Sequence, residues 1–257
     1  MDGYFFYTQG LMLNLFRSLF APPRHPILVL AALWLGLTLA EKRASRHGIS
    51  KEALSNLVYY SILGYILGGR LLFVLEHLQV FLMSPLSVVS PNLDLFDPIG
   101  ALVTAVLVGL IYGQRQKLPL WSALDALTPL LATLAVGLHL SHLAAGTAFG
   151  SPTSLPWAME LWNETRHPTQ LYELMASLLI LAYLWFRKPG SFPGSDFLWF
   201  TALTAGSRLL FETYRGDSTL ILDGLRSAQV IAWLVLAAAI VASEILRARE
   251  KINLTSM

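Results

Sequence analysis

Of the 257 residues, 13% are charged and 55% hydrophobic, and the mean hydropathy is +0.57; ordinary soluble domains carry about 25% charge, so this composition excludes a water-soluble surface. The formal net charge of +2 gives no reason to invoke nucleic acid. Without a single cysteine the chain has no disulfide, no thiolate nucleophile and no cysteine metal site.

A hydrocarbon layer about 30 Å thick is crossed by about 20 apolar residues in a helix, which leaves room for seven spans and their loops. Met1 to Gly10 lack the basic start of a cleaved leader, so the whole chain is read as mature. Residues 3–20 are apolar and aromatic but interrupted by Gln9, Asn14 and Arg17, and are read as an interfacial helix within an N-terminal segment, 1–24. Apolar runs predict spans near 26–41, 57–82, 98–113, 123–148, 170–186, 196–214 and 227–246, followed by a cytoplasmic tail, 247–257. Pro22, Pro23 and Pro26 precede the first span, Pro98 opens the third, and Pro189, Gly190, Pro193 and Gly194 separate the fifth from the sixth. The expected fold is all-α, a single transmembrane helical domain over 1–257 with about seven helices and no internal repeat.

Basic residues orient the spans. With the N-terminus outside, the inner segments hold Lys42, Arg43, Arg46, Lys51, Arg115, Lys117, Arg187, Lys188, Arg247, Arg249 and Lys251, eleven in all. The outer segments hold only five, Arg17, Arg24, Arg166, Arg215 and Arg226, which favours N-out and C-in.

Some polar residues fall where the bilayer penalises them. Arg70, beside Gly68 and Gly69 in the second span, costs at least about 2.5 kcal/mol there and is expected to face a partner, a ligand or water, roughly 20 Å of helix rise below the end of its span. The two glycines allow a neighbouring helix or a bound headgroup to come close. Arg208, Glu212 and Arg215 share one helical face; Glu212 neutralises only one flanking arginine, so the ladder is expected to keep one positive charge for a phosphate. His139 and His142 lie three apart on the fourth span, but no nearby motif supplies a third ligand, so no metal site is expected. Arg166, His167, Pro168, Gln170, Tyr172 and Glu173 crowd the entry to the fifth span. The polar groups gather toward the outer side of their spans, which predicts a cavity opening outward rather than a continuous pore.

These motifs resemble the prolipoprotein diacylglyceryl transferase family. The likeness rests on Gly68-Gly69-Arg70, on Asp125 with Pro129 opening the fourth span, on the stretch from Arg166-His167-Pro168 to Gln170-Leu171-Tyr172-Glu173, and on Gly206-Ser207-Arg208 through Glu212 with Arg215 and Asp217. In order and spacing it extends from about 24 to 246. Where the family carries Arg and Asn late in the fourth span and a Glu shortly after, this chain has His139, His142 and Thr147; where the family has Phe-His-Gly-Gly, it has Phe96-Asp97-Pro98-Ile99-Gly100.

The resemblance implies a multi-pass enzyme of the bacterial plasma (inner) membrane. Its reaction moves a diacylglyceryl group from phosphatidylglycerol to the thiol of a prolipoprotein signal-peptide cysteine and releases glycerol phosphate. Its partners are membrane lipid and signal peptides, and no cofactor is required. Arg70 and Arg208 suit the phosphate, and His139, His142, His167 and Asp97 are candidate bases. Glu212, Arg215, Arg166, Gln170, Tyr172, Glu173, Gly68 and Gly69 are the expected substrate contacts. Two rivals remain: a lipid-binding relative with a changed acceptor or lost catalysis, and a small transporter, which would place polar residues at both faces.

Overall fold

The computed structural model describes residues 12–90, 92, 95–188, 190–221 and 224–255; Gln9 and Pro189, used in the sequence reading, lie outside them. Every predicted span contains a helix. In chain order they are α1 over 12–20, α2 (Pro26–Ala44), α3 (Lys51–Glu76), a short α4 (Leu78–Met83), α5 (Pro98–Arg115), α6 (Leu120–Ala145), α7 (Thr169–Phe186), α8 (Ser195–Phe211) and α9 (Ser227–Thr255). Among the described residues five helices, α3, α5, α6, α7 and α9, are long and apolar enough to cross a membrane. Of the other two, α2 carries Glu41, Lys42 and Arg43 just before its last residue, Ala44, and α8 has 17 residues.

Contacts divide the chain into two units, Met1–Ala40 with Leu127–Met257, and Glu41–Ala126. In the second unit, Ser50 accepts the Ala53 N–H at 3.1 Å and starts α3, which packs along α5. Small residues make that approach possible: a Cβ on Gly68 would fall on the Thr104 side chain, and one on Gly64 would come within 2.9 Å of Val108. Asp97 caps α5 by accepting from the amides of Ile99 and Gly100 at 3.0 and 2.9 Å, and Pro98 follows at the first helical position.

Several boundaries differ from the sequence reading. The second span ends at Glu76, not 82, because His77 leaves helical geometry, its ring stacked 4.3 Å from Phe73 and its Nδ1 3.0 Å from the Phe73 carbonyl. Arg70 therefore sits about 9 Å of helix rise from the end of α3, rather than deep within it. Pro129 lies inside α6, which begins at Leu120. The stretch after α6 contains a hairpin, β1 (Met159–Leu161) against β2 (Glu164–Arg166), turning on Trp162 and Asn163 at φ 57° and 61°, as a two-residue turn of matching twist requires.

In the first unit, α2 packs on α6 through Gly36 against Leu130 and Gly137 against Ala32. Helices α6, α7 and α8 meet in an apolar cluster of Ala132, Ile180, Leu184, Phe200 and Leu203. A second hairpin, β3 (Leu220–Ile221) with β4 (Leu225–Arg226), joins α8 to α9.

Gly68→Leu is expected to force α3 from α5 and to cost about 1–3 kcal/mol, read as earlier thermal unfolding in detergent. Gly113→Ala on α5, where nothing lies within 4 Å, serves as the control and should unfold like the parent. Equal stability of both variants would show that the glycines are not what sets the α3–α5 spacing.

Candidate active site

The site is built where α6 ends, α7 begins and α8 ends. The last turns of α6 supply His139 and His142, whose rings meet edge to face at 6.1 Å. The first turns of α7 supply Glu173, only 4% exposed. The end of α8 and the 3-10 turn after it supply Arg208, Glu212 and Arg215, followed by Asp217.

Glu173 is the hub. Its Oε1 accepts from Arg208 at 2.7 Å and lies 3.5 Å from Arg215, while its Oε2 stands 3.3 Å from His139 Nδ1. Glu212, 1% exposed, lies 2.9 Å from Arg208 and 3.8 Å from Arg215 and accepts from the Ser218 hydroxyl at 2.7 Å. Asp217 takes Arg215 as a two-pronged pair at 2.9 and 2.8 Å. Burial works against the Arg215 cation, but the carboxylates of Asp217, Glu173 and Glu212 outweigh it, so its pKa stands above the ordinary guanidinium value. Arg226, from β4, ties the turn together by donating to the main-chain carbonyls of Glu212 and Arg215 and to Ser218 Oγ.

This arrangement corrects the expected charge balance. Regular helix stops at Phe211 and Arg215 is extended, so the three share no helical face, yet both arginines reach Glu212, and Glu173 from α7 and Asp217 from beyond the helix also pair with them. Two guanidiniums therefore face three carboxylates, and no positive charge is left over on the ladder.

A short extended segment locks this end of the bundle. Gly150 pairs with Arg215 and Pro152 with Arg166, and the Ser151 amide donates to the Tyr214 carbonyl at 2.8 Å. A Cβ at Gly150 would collide with the His167 backbone, so only glycine fits the crossing. Thr169 and Gln170, both fully buried, hold the carbonyls of Ala148 and Thr147 at 2.7 and 2.9 Å. Gln170 is thus a scaffold residue here rather than an open substrate contact. Arg166 is similarly engaged, by Glu164, by the carbonyls of Leu161 and Gly150, and over the Phe149 ring at 4.9 Å. His167 sits among aromatic rings, 5.0 Å from Tyr214 and 6.3 Å from Tyr172. Tyr172 accepts a hydrogen bond from Trp157 Nε1 at 2.8 Å.

A cavity of about 1040 Å³ lies between α1 and the β1–β2 hairpin, lined by Met12, Phe16, Leu140, Leu143, Trp157, Trp162 and Leu171 among others. Its walls are largely apolar, and of them Leu143 directly follows His142 in sequence and Leu140 stands two residues before it.

The remaining predicted residues lie in the other unit. Arg70 donates to the carbonyls of Val88, Leu95 and Ser87 at 2.7, 2.6 and 2.5 Å and packs 5.9 Å from the Phe81 ring. Its partner is therefore main chain. The space over Gly68 is taken by Thr104, and that over Gly69 by Phe96 and Ala101, so the close neighbour of this pair is protein. Asp97, one of the candidate bases, is committed to the cap of α5.

Sequence reasoning passed over Ser218, Tyr214, Trp157 and the structural use of Arg226. Arg226 offered one signal, a lone cation in a short polar connection between two apolar helices. Glu173 was expected at the site, but its position as the third group beside His139 and His142 was not.

Apolar helices enclosing a buried ionic cluster at one end define a helical membrane protein with a polar site walled by apolar surface. The chain belongs to the prolipoprotein diacylglyceryl transferase family, whose sequence profile matches residues 23–244. Among curated relatives, the phosphatidylglycerol–prolipoprotein diacylglyceryl transferase of Trichormus variabilis is 30% identical over 224 residues, covering 80% of this chain and 79% of the relative. The protein of the same name from Acaryochloris marina is 30% identical over 228 residues, with 80% of each chain covered.

Glu212→Gln is expected to lower stability by about 3–5 kcal/mol, because it removes a buried charge from two guanidiniums. Ser218→Ala should cost only about 1 kcal/mol. Thermal unfolding of the detergent-solubilised variants measures both; an unchanged midpoint for Glu212→Gln would mean that Glu173 and Asp217 alone suffice for Arg208 and Arg215.

Proposed function

We propose that this chain transfers a diacylglyceryl group from phosphatidylglycerol to the thiol of a signal-peptide cysteine, with its site at the meeting of α6, α7 and α8. The observation that carries this reading is the buried ionic cluster around Glu173, set within the region that matches the family. The reaction forms a carbon–sulfur bond at the glyceryl carbon, breaks the carbon–oxygen bond to phosphate, and releases glycerol phosphate. Two demands follow: a thiol of pKa about 8.5 must lose its proton, and negative charge growing on the phosphate must be held.

Arg208 answers the second demand. Its side chain is 34% exposed, against 10% for Arg215, so it is the guanidinium of the cluster open to a ligand. Glu173, Glu212 and Arg215 position it. His139 and His142, whose nitrogens stand beside the same carboxylate, form the part of the site that answers the first. The apolar cavity edged by Leu140 and Leu143 offers room for acyl chains.

Seven spans are assigned to α2, α3 and α5 through α9, with the N-terminus outside and the C-terminus in the cytoplasm. The excess of basic residues on the inner segments supports this orientation. It opens the site to the outer half of a bacterial plasma membrane.

Rescue of a strain depleted of its own diacylglyceryl transferase tests the activity. The parent chain should restore lipid-modified lipoproteins, and Arg208→Lys, which keeps the charge but loses the planar fork, should insert and fail. Failure of the parent, with phosphatidylglycerol still bound to the purified protein, would instead favour a lipid-binding relative with a changed acceptor. Single cysteines test the topology, since the parent has none. An impermeant thiol reagent on intact spheroplasts should label positions in 150–168 and not those in 187–195; the reverse pattern would turn the site toward the cytoplasm.

A further inference from the structure

We propose that His139, His142 and Glu173 hold a divalent transition-metal ion of zinc(II) type, whose open coordination position takes the acceptor thiol. The thiol as fourth ligand rests on the transferase reading above; the metal site itself does not.

Three features of the geometry converge. His139 and His142 come from successive turns of α6 and Glu173 from α7, and one ligand atom from each lies within 4.8 Å of the other two. His139 Nδ1 and Glu173 Oε2 are 3.3 Å apart. That is the separation of two ligands each about 2.0–2.1 Å from a tetrahedral zinc ion, and two histidines with one glutamate is a donor set zinc accepts, leaving one position open.

The second feature is the state of these atoms. His139 Nδ1, His142 Nδ1 and Glu173 Oε2 are all buried, and none has a hydrogen-bond partner among the described residues. Buried polar atoms are normally satisfied; here His139 Nδ1 and Glu173 Oε2 have only each other, as an ion pair at 3.3 Å, and a shared cation would serve both of them and His142. Glu173 is 96% buried, and its two oxygens are divided in use. Oε1 faces Arg208 and Arg215, while Oε2 faces the histidines. The guanidiniums thereby fix the carboxylate from behind, as outer partners of metal ligands commonly do.

Charge is the third feature. Arg208 and Arg215 would repel a cation if they stood alone, but they face Glu173, Glu212 and Asp217, so these five groups carry one negative charge in excess. His139 and His142 enter as neutral ligands. Arg226, the next cation, is turned onto main-chain carbonyls and Ser218.

The chain contains no cysteine, so a thiolate ligand has to come from the substrate. A thiol bound to such an ion is deprotonated outright. Its sulfur then forms the thioether with the glyceryl carbon as the carbon–oxygen bond to phosphate breaks. The electron pair of that bond leaves with glycerol phosphate, and the thiol proton passes to glycerol phosphate or solvent. No oxidant or reductant is involved.

The test uses the full chain, purified in detergent without a polyhistidine tag. After equilibration with zinc and removal of free metal, elemental analysis should find one ion per chain. Cobalt(II) should give the visible absorption of a tetrahedral site. His139→Ala, His142→Ala and His139→Arg should lose both signals while staying monodisperse; His139→Arg restores the charge that the family carries at this position, and so separates a metal ligand from a phosphate contact. A cysteine-containing signal peptide should add a sulfur-to-cobalt charge-transfer band that its serine counterpart does not. A parent chain that retains no more zinc or cobalt than His139→Ala overturns the site. Tetrahedral cobalt without a sulfur band overturns the thiol as fourth ligand, while the ion itself stands and the transferase reading is decided by the rescue experiment.

Discussion

The carboxylate of Glu173 is the constraint on which this end of the molecule depends. It is almost fully buried, in a chain whose environment makes isolated charge costly, and it reaches three other elements at once: α6 through His139, α8 through Arg208 and the turn beyond α8 through Arg215. A buried anion persists only when its partners are close and well placed. Here those partners come from segments distant in sequence, so satisfying one side chain fixes the approach of three helices. Glu212 repeats the device one layer further along, joining Arg208 to Arg215.

The main chain around these carboxylates is equally constrained. The segment from Thr147 to Pro152 runs between the start of α7 and the turn after α8, and its carbonyls and amides are taken by Thr169, Gln170, His167 and Tyr214. Gly150 is at the tightest point of the crossing. The side chains of the ionic cluster can therefore stand on the ends of helices, where motion is usual, and still keep their geometry. Arg208 remains the partly open member of the cluster.

Much of the architecture was legible because the bilayer imposes a length on apolar runs. Each run of that length contains a helix, and Pro98 marked the start of α5 as expected. The misjudged features depend on contacts that periodicity does not encode. The end of α3 was lost because His77 is held by Phe73 within an apolar stretch that continues to residue 82. The partners of Arg70 were hidden because they are carbonyls of irregular chain, which carry no sequence signature. The i, i+4, i+7 spacing correctly placed Arg208, Glu212 and Arg215 within reach of one another, even though regular helix stops at Phe211. It could not show that Glu173 and Asp217 complete the charge balance. The same blindness to long-range partners hid the third group beside His139 and His142.

The central claim is that Glu173 is the shared counter-ion of the site rather than one polar residue among many. A double-mutant cycle on Glu173→Gln and Arg208→Met, read by equilibrium unfolding in detergent micelles, tests it most directly. A coupling of about 1–3 kcal/mol is expected, toward the lower end because Arg208 is partly exposed to screening. Effects that add to within about 0.5 kcal/mol would show that the two side chains act independently, and the account of Glu173 as the hub would be wrong.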